Sequence, residues 1–111
     1  MELSKKGKKI ARQIIEKGLQ AEFANGLNSF DKIITDWKNN LNDNKTTYHN
    51  LYEKLMNFDK HIAGRYDGMT GSSYIFIIAS QLHDGIISEN DLFDFPDEIK
   101  QAIKMIANIN S

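Results

Sequence analysis

The chain has 111 residues and a mass of 12.7 kDa, with 41% hydrophobic and 26% charged residues, a composition that suits one folded core and excludes disordered, collagen-like and low-complexity classes. Fourteen basic residues face 15 acidic ones, so a formal net charge of -1 excludes recruitment of nucleic acid or anionic membrane by global charge. The absence of cysteine excludes a disulfide framework, a thiolate zinc site and a cysteine nucleophile.

The start of the chain, Met1 to Lys9, is basic, but Arg12, Gln13, Glu16 and Lys17 interrupt the apolar residues after it and leave no apolar signal region. No apolar run approaches the ~18 residues of a membrane span, so the expected location is cytoplasmic. Helical periodicity dominates from there on. Ile10, Ala11, Ile14, Ile15, Gly18 and Leu19 share one face of a first helix, on which Ala11 and Gly18 are small enough to admit a close neighbour. Phe30, Ile33, Ile34, Trp37 and Leu41 form a second stripe. Asn25-Gly26 and Asn28-Ser29 between the two read as a C-cap followed by an N-cap. One long helix over residues 5–41 satisfies the same spacings, through Leu19, Phe23, Leu27, Phe30, Ile34 and Trp37, and both readings stay open.

A polar turn from Asn39 to Asn44 ends that stretch. Tyr48, Leu51, Leu55, Phe58 and Ile62 predict a helix that stops near Gly64, followed by a glycine-punctuated loop from Arg65 to Gly71. Ser72 or Ser73 caps the next segment, Tyr74 to Leu82, which is apolar on almost every side. It is read as the buried central helix, near residues 73–83, in preference to a strand, because no partner strand is visible. Asp84-Gly85 closes it, Ser88 with Asp91 resembles a capping box for a short helix, and Pro96 with Asp97 and Glu98 opens a last helix striped by Ile99, Ala102, Ile103 and Ile106. The expectation is an all-α fold, a compact single-domain bundle of about five helices spanning residues 1–111.

Few places carry chemistry. Asp84, Gly85, Ser88 and Asp91 fit the second half of a calcium loop, but Ser80 and Leu82 would occupy its first and third ligand positions, and leucine offers no oxygen. His49, Glu53, Asn57 and His61 form a row opposite the Tyr48–Ile62 stripe, which reads as a solvated face; no metal or cofactor is expected. The segment Ser88 to Asp94 has helix-turn-helix spacing behind Ser73–Leu82, yet its acidity is unfit for DNA. Nucleic acid is disfavoured as a partner, with the basic arm Lys5, Lys6, Lys8, Lys9, Arg12 and Lys17 as its only support.

The loop from Arg65 to Ser73 is the candidate ligand site. Arg65, Tyr66, Thr70, Gly71, Ser72 and Ser73 offer a guanidinium, hydroxyls and backbone N–H groups at a helix start, which suits a phosphate or carboxylate. No lysine follows Gly71, so the loop is not a Walker motif. Catalysis is not expected, because nothing in the sequence brings a nucleophile, His61 or His83, and Asp67 or Asp84 together. By subtraction, the leading expectation is a small helical protein-interaction or regulatory module that binds another protein or itself, with no membrane. A weak, salt-sensitive homodimer would bring the basic start against the acidic stretch of residues 84–98. The anion site on the 65–73 loop is the alternative.

Overall fold

In the computed structural model, which describes residues 2–109 (and the side chains of 2–108), the chain is all-helical. The described residues form four α-helices: α1 Lys5–Lys38, α2 Asn44–Tyr66, α3 Tyr74–His83 and α4 Asp97–Ile109. Single turns of 3-10 helix at Gly71–Ser73 and Glu89–Leu92 complete the set. The count falls one short of the expected five because the short helix after Ser88 is only a 3-10 turn. Of the two readings left open for residues 5–41, the single helix holds, over Lys5–Lys38.

Two compact units make up these residues. One takes the described residues of 1–21 and 68–111; the other is Glu22–Asp67. Among the described residues, the first unit holds nearly all of the buried apolar side chains: Leu3, then Ala11, Ile14 and Ile15 from α1, Ile75, Ile77, Ile78 and Ala79 from α3, Ile87, Leu92 and Phe95 between α3 and α4, and Ile103 and Ala107 from α4. α3 packs against α4. The predicted burial of the Tyr74–Leu82 segment therefore holds along most of its length, with one correction, because Phe76 stands 60% exposed. Leu55 and Trp37, each on a predicted apolar stripe, belong to the other unit and are 48% and 39% exposed.

Local chemistry explains the ends of these elements. Gly18 is small because α3 presses on it: a Cβ there would sit 2.2 Å from Gln81 Nε2. Gln81 is fully buried and donates to the Ile15 carbonyl at 3.1 Å, so a polar side chain is carried into the core by a backbone acceptor. The Ser88–Asp91 box forms as read, with Ser88 N donating to Asp91 Oδ2 at 2.8 Å, and Asp91 also accepts from Lys17 Nζ. Gly85 follows α3 at φ 72, in the left-handed region that a helix C-terminus favours. The Pro96 carbonyl accepts from Ile99 N at 3.0 Å and Lys100 N at 3.1 Å, starting α4.

The second unit is a helical hairpin made of the C-terminal half of α1 and all of α2. The Asn25–Ser29 stretch, which resembles a pair of caps, lies inside α1. Ser29 Oγ donates to the Asn25 carbonyl at 3.1 Å, so its capping capacity is spent within the helix. Gly26 is there for packing: a Cβ would fall 2.6 Å from Phe58 Cζ on α2. Phe58 sits edge-on to Phe23 and Phe30, with centroids 6.1 Å and 5.8 Å away. The turn is closed by Asn40 at φ 62, by Asp43 Oδ1 accepting from Thr46 N at 2.7 Å, and by Trp37 Nε1 donating to Asn44 Oδ1 at 2.7 Å. Among the described residues, no helix is long and apolar enough to cross a membrane.

Candidate functional site

The residues singled out in the 65–73 loop fall into two groups. Thr70, Gly71, Ser72 and Ser73 lie in the first unit, where their hydroxyls largely serve the local backbone. Thr70 N donates to Ser73 Oγ at 3.0 Å, Ser73 Oγ donates to the Thr70 carbonyl at 2.8 Å, and the Thr70 and Ser72 hydroxyls are 2.9 Å apart. Beside them is an open cavity of about 440 Å³ lined by Glu2, Leu3, Lys8, Thr70, Gly71, Ser72 and Ile75. Its cation is Lys8, whose chain lies so close that a Cβ on Gly71 would meet Lys8 Cε at 3.0 Å.

Arg65 and Tyr66 lie in the second unit and converge on a residue that sequence reasoning passed over. Glu22, only 4% exposed, accepts from Arg65 Nη1 at 2.8 Å and from the Tyr66 hydroxyl, and His61 Nε2 lies 2.7 Å from the same oxygen as Arg65. Arg65's side chain is 8% exposed, so the ion pair is a buried one. Helical spacing assembles the cluster: His61 and Arg65 stand four apart on α2, and Glu22 stands four before Gly26 on the side of α1 turned to α2. That spacing was a usable signal, but only on the reading of α1 as one helix. Next to the cluster is a groove of about 390 Å³ lined by Glu22, Asn25, Gly26 and Ser29 of α1 and Lys54, Asn57, Phe58 and His61 of α2. The His49–Glu53–Asn57–His61 row is exposed as expected, and His61 adds a link across the hairpin.

The largest unmet demand lies elsewhere on the hairpin. Phe23, Leu27, Trp37 and Leu41, with Tyr48, Tyr52, Leu55 and Met56, stand 39–67% exposed, while Tyr66 is the only buried apolar side chain of the unit among the described residues. Successive residues on an α-helix turn by about 100°. On α1, Gly26 and Phe30 face α2, Phe23 lies on Phe30's side and meets Phe58, and Leu27 and Ile34 lie roughly a quarter turn round from Gly26. On α2, Phe58 and His61 face α1, and Tyr48, Tyr52 and Leu55 again lie roughly a quarter turn round. The helices are antiparallel, since Trp37 meets Asn44 at the turn and Glu22 meets Arg65 at the far end. Equal rotations then bring both stripes to the same side of the hairpin, forming one open apolar face.

Comparison of the chain with protein-family models, with curated proteins and with solved structures found no match.

Proposed function

We propose that this protein is a helical protein-interaction module without catalytic activity, and that the open face of the α1–α2 hairpin is its binding surface. The observation that supports the reading is the run of exposed large apolar side chains on one face, since exposed contiguous apolar surface on a folded domain marks interaction sites. Tyr48 and Tyr52 bring an apolar body and a polar tip, the combination enriched where proteins meet. The reading takes the cytoplasm as its compartment, in keeping with a chain free of cysteine. The buried Glu22–Arg65 pair serves as a fastener: it holds the open end of the hairpin and so fixes the face for a partner.

A photo-crosslinking residue at Tyr52 tests the reading in the native cell, with the same residue at exposed Lys9 as reference. Tyr52 should yield a discrete protein adduct and Lys9 should not. Failure of Tyr52 to capture any protein, itself included, overturns the reading.

A second reading has its own observation, the cavity beside Lys8, Thr70, Gly71 and Ser72. A small anion such as phosphate would meet the lysine and the free end of the loop there. Inorganic phosphate should then raise the melting temperature in a concentration-dependent way, and Lys8→Ala should abolish the rise. An unchanged melting temperature at millimolar phosphate removes this reading.

A further inference from the structure

We propose that the occupant of the open hairpin face is a second copy of this chain, packed antiparallel across a two-fold axis so that two hairpins close into a four-helix bundle. The proposal rests on the interaction-module reading above and names its partner.

Area argues for a partner of this size. Phe23, Leu27, Tyr48, Tyr52 and Leu55, at 40–66% exposure, leave about 550 Å² of apolar surface on or beside this face, taking about 200 Å² for each side chain. A stable interface buries about 800 Å² on each partner, a little over half of it apolar. The face therefore supplies the apolar part of a whole interface and does not need a large foreign surface to complete it. Its form matches as well. Two antiparallel helices with one apolar side are half of a four-helix bundle, and a two-fold axis supplies the other half from the same sequence.

Charge argues for self and for the antiparallel orientation. Between Glu22 and Asp67 the acidic residues Glu22, Asp31, Asp36, Asp43, Glu53, Asp59 and Asp67 nearly balance the basic Lys32, Lys38, Lys45, Lys54, Lys60 and Arg65, so two copies carry little mutual repulsion. The distribution is less even than the total. On the helical wheel, Lys38 and Lys45 flank the apolar stripes at the turn end, and Asp59 flanks them toward the open end. A parallel pairing would set Lys38 and Lys45 against the same lysines of the second copy. An antiparallel pairing turns them toward Asp59 of that copy and brings Tyr52 and Leu55 near the axis.

The test is sedimentation equilibrium on the full chain, from micromolar to hundreds of micromolar, at low and at molar salt. The expected result is a dimer that survives molar salt, because its contact is apolar. Leu27→Lys and, separately, Tyr52→Lys should weaken it at least tenfold, while Phe93→Lys, an exposed position outside the hairpin, should leave it unchanged. Circular dichroism checks each variant, and since both hairpin side chains are exposed in the protomer the helices should persist. A spin label at Asn40→Cys then reads orientation. The hairpin runs about 25 Å from Phe23 to Asn40, so antiparallel copies hold their labels more than about 20 Å apart. A monomer at every concentration, or a dimer indifferent to Leu27→Lys and Tyr52→Lys, overturns the second copy as occupant. Labels within about 10 Å overturn the antiparallel arrangement. A monomer that still crosslinks a foreign protein through Tyr52 would sink this proposal and leave the interaction-module reading standing.

Discussion

Glu22 is a carboxylate withdrawn from water, and a withdrawn charge is tolerated only when paired and hydrogen-bonded. Here Arg65, Tyr66 and His61 provide the partners, all from the last turns of α2. A buried pair adds little net stability compared with apolar replacements, but removing one member strands the other. Arg65→Ala should therefore destabilise the protein by about 3 kcal/mol, at the low end of the range for a broken buried pair, because His61 and Tyr66 still hold Glu22. Chemical denaturation measures it. A loss below about 0.5 kcal/mol would mean that Arg65 behaves as a surface arginine and that Glu22 is not dependent on it. The sequence marks Arg65 as a partner for an external anion; in the structure the anion it binds is a side chain of the protein itself. Nothing at Arg65 names Glu22, which precedes it by 43 residues.

At the scale of elements, α3 shows how far apolar composition carries a prediction. Its segment is hydrophobic nearly all round, and Ile75, Ile77, Ile78 and Ala79 are buried against the first unit's core. Ile78 is fully enclosed, so Ile78→Ala should cost about 3 kcal/mol, within the ~2–5 kcal/mol seen for buried large-to-small changes. Urea unfolding of the variant would show it as a lower midpoint with an unchanged slope. A midpoint matching the parent protein would place Ile78 outside the core. Phe76, on the same helix, breaks the pattern because four residues of one turn cannot all face inward, and its side is the one left open. Periodicity located α2, α3 and α4 closely. It left α1 open between one helix and two because Asn25-Gly26 and Ser29 carry the composition of caps, while Phe58 is what Gly26 actually answers to.

At the scale of the whole molecule, the charge asymmetry seen along the chain is partly settled inside it. Lys17 of the basic start bonds Asp91 of the acidic stretch, and Lys104 reaches Glu89 at 3.4 Å. Asp91's carboxyl is held below the usual carboxylate range by the hydrogen bond from Lys17 and then by that from the Ser88 backbone. Asp43's is held low by the Thr46 backbone N–H. Both groups bind protons less readily folded than unfolded. Their stabilisation is thus present above the unfolded value near ~4 and is lost as pH falls through the lower folded values. Stability measured by denaturation should accordingly decline below pH ~4, and Asp91→Asn should make that decline shallower. An acid limb of unchanged steepness in Asp91→Asn would show that the residue contributes nothing to it.

The helical class, the burial of most of α3, the Ser88–Asp91 box and the start of α4 at Pro96 were all determined by the sequence alone, because each depends on residues within a turn or two of one another. The continuity of α1, the burial of Glu22 and the engagement of Arg65 were decided by tertiary structure. They depend on residues far apart in the chain: Gly26 with Phe58, and Glu22 with His61, Arg65 and Tyr66 at separations of 39 to 44 residues. The open apolar face has the same origin. Each helix announces its own apolar stripe, but only the antiparallel pairing of α1 with α2 sets which part of that stripe is spent on the partner helix and which part is left facing outward.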